Sequence, residues 1–131
     1  MQADLLTTDQ FDGNVQSSQV DPDPEWPSIL EAFQALDGYR HSWLTVLAGE
    51  RQLSVGGGRE GYVLVAEAES VILRGVHAER PGPQHLELWI KGSRRDCDAM
   101  HLHTAEEALH ALTAFALAGQ FTGEIHWSST L

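Results

Sequence analysis

Cysteine is nearly absent: Cys97 is the only one in 131 residues. One thiol cannot close an internal disulfide, so no disulfide framework is available and a reducing compartment is expected. Long apolar runs are missing too, since glycine, charge or histidine interrupts each run well before the roughly 18 to 20 residues a membrane-spanning helix needs. The opening residues, Met1 to Asp9, have neither the basic start nor the continuous apolar centre of a secretory signal, and a cytoplasmic location is expected. Basic residues are scarce. Eight Lys and Arg face 19 Asp and Glu, for a formal net charge of −11 and a pI near 4.8. Nucleic-acid binding draws on Lys and Arg to displace counterions, so this balance argues against direct contact with phosphate backbones or anionic lipid. Acidity serves solubility in any protein; here its sharper meaning is a basic protein partner.

The chemistry-bearing motifs are equally thin. Gly56-Gly57-Gly58 could cradle a phosphate only if it led into a helix N-terminus, but Gly61-Tyr62-Val63-Leu64-Val65 follows, which reads as a strand. A hairpin turn or bulge is the expected use of these glycines. His101 and His103, two apart on a strand, would share a face and could ligate a metal with Cys97, Asp98 or His126. No further spaced Cys/His signature accompanies them, so polar sheet-face roles are expected instead. Cys97 has no elbow or activating neighbour to mark it as a nucleophile, and the carboxylates are too scattered to pick an acid–base pair. No catalytic residue, metal or cofactor is assigned.

What the sequence does contain is periodicity. Ala105, Ala108, Leu109, Leu112, Phe115 and Ala116 recur at the spacing of one helical stripe. Thr104 and Glu107 can form a capping box at its start, and Gly119 is placed to end it. A first, shorter helix is expected from Trp26 to Gly38, with Pro27 in its first turn, a second capping box from Ser28 and Glu31, and an apolar face of Ile29, Phe33 and Leu36. Between the helices the period changes to two. Strands are expected at Trp43–Ala48, Arg51–Val55, Gly61–Ala66, Val71–Val76, His85–Lys91 and Asp98–His103, with a short extended piece at Glu124–Trp127.

Consecutive strands joined by short turns imply antiparallel pairing, because parallel neighbours need long crossovers. The expected fold class is therefore α+β: an antiparallel β-meander of about five to seven strands packed against an N-terminal and a C-terminal helix. Residues 26–131 are expected to form a single domain. Residues 1–25 hold six acids, no Lys or Arg, and the turn-forming Asp21-Pro22-Asp23-Pro24, which predicts a flexible arm with little structure of its own.

Four tryptophans remain to be placed. Trp43 and Trp127 are expected in the core, whereas Trp89 alternates against Leu86, Leu88 and Ile90 and is expected on the outer side of its strand. A partner surface is accordingly nominated from Glu50, Glu60, Glu67, Glu69, Glu87 and Trp89, all expected on turns or on the solvent side of the sheet.

The order of these elements resembles a known family. A helix near Trp26-Pro27, a hairpin leading to Leu53-Ser54-Val55-Gly56-Gly57-Gly58 and Gly61-Tyr62-Val63-Leu64-Val65, and an Ala-rich helix followed by Ala118-Gly119-Gln120-Phe121-Thr122-Gly123-Glu124-Ile125-His126-Trp127 are similar to the first-numbered immunity family of bacterial polymorphic toxin systems. The likeness spans about residues 26 to 127, without the proline expected between the closing helix and Trp127. It implies a small cytoplasmic protein that neutralises a cognate toxin, often one that attacks nucleic acid, and it transfers no catalytic residue. Two other classes fit the composition: a non-catalytic adaptor or chaperone for a secreted effector, and a small metal-dependent enzyme built on His101, His103 and His126.

Overall fold

The computed structural model describes residues 2–12, 15–58, 61–76, 85–90, 93–98 and 101–129; between 85 and 98 it describes only the side chains of Leu88 and Ile90. The chain runs β1 (Leu5–Asp12), β2 (Val15–Pro22), α1 (Trp26–Gln34), β3 (Trp43–Ala48), β4 (Arg51–Gly58), β5 (Gly61–Ala68), β6 (Val71–Val76), β7 (His85–Ile90), β8 (Ser93–Asp98), α2 (Ala105–Ala118) and β9 (His126–Ser129). Seven strands form one antiparallel sheet in the order β2-β1-β3-β4-β5-β6-β9, and β7 and β8 pair as a separate hairpin. The fold is α+β. Among the described residues no helix is long and apolar enough to cross a membrane.

The meander is present as β3 to β6, but its surroundings differ from expectation in three places. Residues 1–25, expected as a flexible arm, supply β1 and β2, and α1 lies between β2 and β3 instead of opening the fold. Only one apolar side chain of β1, Leu6, is fully buried, so the segment carries too little periodic hydrophobicity to announce itself. Its pairing with β3, from Leu5 opposite Leu47 to Thr8 opposite Leu44, supplies what composition does not. Second, the strand expected at Asp98–His103 lies earlier, at Ser93–Asp98, opposite β7. His103 contributes a single bridge to Tyr62. Third, Ser28 does not cap α1. Its N–H already donates to the Glu25 carbonyl at 3.0 Å, so it sits inside the first turn, behind an N-cap at Glu25 that has no side-chain cap.

Helix α1 also ends at Gln34 with its cap at Ala35, short of the expected stop at Gly38, whereas the signals around α2 are realised. Glu107 donates its N–H to the Thr104 hydroxyl at 3.2 Å while the Glu107 carboxylate accepts from the Thr104 N–H at 2.9 Å, closing the capping box. Gly119 ends α2 in the left-handed conformation, φ 68°. Ile29, Phe33 and Leu36 are buried with Ala108, Leu112, Phe115 and Ala116 of α2 against Leu44, Val46, Leu53, Val55, Leu64 and Ala66 of the three central strands.

The opposite side of those strands holds a second, smaller apolar cluster. Leu88 and Ile90 of β7 and Leu102 pack there with Trp43 and Val63. Trp127 packs on the main cluster beside Phe121. The three glycines are not the expected turn or bulge but strand residues paired with β5 in continuous register, Gly56 opposite Val63 and Gly58 opposite Gly61. Close approach explains them: a methyl group at Gly56 would overlap the Trp43 ring, and one at Gly58 the backbone of Asp37 and Gly38.

Candidate partner-binding surface

Strand register decides which acids meet. In an antiparallel pair, directly opposite residues share a face. Val46, Leu53, Ala66 and Leu73 point into or against the helix-side core, so the residue beside each points the other way. Pro22, Leu5, Leu47, Gln52, Glu67 and Ile72 thus form one row across six strands on the face opposite the helices. All six are half-buried or exposed.

This row lies one pair short of the end of the sheet, where Ala48 pairs with Arg51 and Ala68 with Val71. The β3–β4 turn carries Glu50 and the β5–β6 turn carries Glu69, whose φ of 53° places it in the left-handed region used by tight turns. Both turns lie at the same end, because β4 runs antiparallel to β3 and to β5. The segments flanking the N-terminal hairpin arrive there as well. The Asp4 carboxylate accepts the Gly49 N–H at 2.6 Å, and Asp23 donates its N–H to the Asp4 carbonyl at 3.0 Å. Asp4, Asp23, Glu50, Glu67 and Glu69 therefore gather around one end of an accessible sheet face. No Lys or Arg among the described residues pairs with Glu50, Glu67 or Glu69. Arg51, the nearest in sequence, turns to the helix side, where it donates to the Gly119 carbonyl at 3.4 Å and lies 5.7 Å from the Phe121 ring centre.

Three of the six nominated residues, Glu50, Glu67 and Glu69, thus share a neighbourhood. Glu60 lies outside the described residues. Glu87 and Trp89 belong to β7, opposite Asp96 and Arg94, and their side chains also lie outside the described set. Asp4 and Asp23 are contributors that sequence reasoning missed. Their acidity is visible in the sequence, but it falls in a segment whose composition predicts a flexible arm.

The histidines are dispersed in role. His103 is 1 % exposed, exchanges two backbone hydrogen bonds with Tyr62, at 2.8 and 3.0 Å, and sets its ring against Gly75 of β6. His126 is exposed at the start of β9, and His101 is half-buried. Among the described residues no three His, Cys, Asp or Glu side chains form a group that could hold a metal ion. The Cys97 side chain lies outside the described set.

A different polar site organises the N-terminal hairpin. The carboxylate of Asp9, 5 % exposed, accepts from the Ser42 N–H at 2.8 Å, the Ser42 hydroxyl at 2.6 Å and the Trp43 N–H at 3.0 Å. Its carbonyl lies 2.9 Å from His41 Nδ1. Nearby, one oxygen of Asp37 accepts the N–H groups of Tyr39, Arg40 and His41 at 2.8, 2.9 and 3.1 Å. Partial burial acts to raise the Asp37 pKa, but these three donors and the charge of His41 outweigh it and hold the carboxyl below its ordinary range. Burial pushes the Tyr62 hydroxyl up. Asp9 and Asp37 fix the hairpin and the loop before β3. No family model matches the chain, and neither a curated protein nor a solved structure matches it.

Proposed function

We propose that this chain is a cytoplasmic immunity protein that binds a cognate bacterial toxin one to one and blocks it. The observation that supports this reading is the acidic end of the sheet, where Asp4, Asp23, Glu50, Glu67 and Glu69 border a face with apolar contact surface from Leu5, Leu47 and Ile72. A toxin that acts on nucleic acid needs a basic cleft for its substrate. An acidic surface is steered toward such a cleft and, once bound, occupies the place of the phosphates. The resemblance over residues 26 to 127 points to the same class of partner.

The test is co-expression with the toxin domain encoded beside the chain, scored by cell survival and co-purification. Survival with a stable one-to-one complex is expected. Survival without a complex would replace blocking with an enzyme that undoes the toxin's damage, and binding without protection would assign the chain to the effector adaptors. Within a complex, the double reversal Glu50→Lys with Glu69→Lys should slow association roughly tenfold at low salt and flatten its salt dependence. Unchanged association kinetics would remove the acidic end from the interface.

A further inference from the structure

The outermost strand of the sheet, β2, has an edge that nothing among the described residues covers. It pairs with β1 over all eight residues, from Val15 opposite Asp12 to Pro22 opposite Leu5, with no bulge. Val15 and Val20 are 68 % and 59 % exposed. Natural edge strands are commonly blunted by Lys, by a bulge, by proline or by shortness. In β2 only the last residue, Pro22, is of this kind, so the edge from Val15 to Asp21 is left open, whereas the opposite edge, β9, is four residues long.

The hydrogen-bond pattern shows which groups of β2 face outward. Phe11 donates its N–H to the Arg40 carbonyl at 2.8 Å, away from β2, so its partner Gln16 occupies a position not bonded to β1 and turns its own N–H and C=O to the outside. The Asp23 N–H, bonded inward to Asp4, fixes the same alternation from the other end. Gln16, Ser18 and Val20 therefore present outward N–H and C=O groups, a ladder ready for another strand.

Beside this edge, between the hairpin and α1, lies a cavity of about 360 Å³ open to solvent. Asp21 of β2 lines one wall, Ser28 and Glu31 of α1 the other, Ala35 and Leu36 give it apolar surface, and His41 is the one basic side chain against two carboxylates. An aliphatic stem with a cationic head suits such a lining: the stem packs on Ala35 and Leu36 while the head meets Asp21 and Glu31. Strand addition works by this division, with main-chain bonds supplying affinity and a pocket for alternate side chains supplying specificity.

We propose that the toxin partner lays an extended segment along β2 as an eighth strand of the sheet and places a Lys or Arg side chain in the cavity between β2 and α1. The proposal rests on the immunity reading and adds where and how the partner docks. Charge selects this occupant over a second copy of the chain, since residues 1–25 carry six acids and no Lys or Arg, and two such hairpins would repel.

The probe is the toxin domain encoded beside the chain, titrated onto the purified full-length protein. Ser18→Pro removes an outward N–H and leaves the bonds to β1 in place, as edge strands tolerate proline on their solvent side. It should keep the circular dichroism and melting temperature of the wild type yet weaken binding about tenfold or more, while Ser18→Ala binds normally. Glu31→Gln should weaken binding several-fold, by removing one charge from the cavity. Independently of any variant, hydrogen exchange on the wild type should show new protection at Gln16, Ser18 and Val20 on complex formation. A complex with no new protection there, and with Ser18→Pro binding at full strength, would overturn the docking edge and leave the immunity reading standing. A wild type that binds no toxin would overturn both. A free chain that is dimeric and becomes monomeric on Ser18→Pro would give the edge to a second copy.

Discussion

The α2 side of the molecule and the N-terminal hairpin are held in opposite ways. Beneath α2, Phe115, Leu112 and Ala116 are fully buried against the central strands, and the stabilising term is apolar area removed from water. The hairpin has Leu6 as its only fully buried large apolar side chain, and it is fastened to β3 by ladder bonds and by a carboxylate, Asp9, that collects three donors. A core of the first kind is rigid and closed. A hairpin of the second kind leaves its outer edge and its acids exposed, and those are the groups a partner can use.

The largest effect is expected from Phe115→Ala, in the closed core. The ring is 0 % exposed and stacks on Phe121 at 5.3 Å, so its loss should cost about 4 kcal/mol. The denaturation midpoint in urea should fall for the whole fold. Asp9→Ala acts on the hairpin. It removes the acceptor shared by Ser42 and Trp43 and should cost about 2–3 kcal/mol. Hydrogen exchange should show the loss concentrated in β1 and β2, with α2 protection much less affected. If both variants lowered protection evenly across the chain, the two regions would be one cooperative unit and the contrast would fail.

The smallest effect is set by pH. The Asp37 carboxyl is held below its ordinary range in the folded chain, so the folded state favours its charged form. Its contribution is fully present above the ordinary carboxylate range and is lost as pH falls through the depressed folded value. Asp37→Asn should therefore flatten the acid limb of a stability-against-pH curve and leave the neutral limb with the same slope. An acid limb as steep as that of the wild type would show that Asp37 is not coupled to folding.

Where the signals are local, the sequence was readable. The capping box of Thr104 and Glu107, the stripe to Phe115 and the left-handed Gly119 all act within a few residues, and α2 lies where they place it. The acidic turns at Glu50 and Glu69 were readable for the same reason, because the alternation of β3 to β6 fixes which turns share an end. Non-local pairing was not readable. Nothing in Val15–Pro22 states that a strand will form, since its residues are exposed and its only strand partner is β1, which pairs in turn with β3. Asp9 reads as one more solvating acid, and its burial depends on Ser42, 33 residues away. The alternation of Leu86, Leu88 and Ile90 foretold a strand but could not tell that β7 would leave the sheet to pair with β8.

The acidic hairpin side of the molecule is the surface proposed to meet a basic toxin. Hydrogen exchange on the protein with and without the proposed toxin partner is the test. Protection gained at Gln16, Ser18 and Val20 and around Glu50 and Glu69, with α2 unchanged, is the predicted result. Protection confined to α2 and β9, with the hairpin side unaffected, would contradict it.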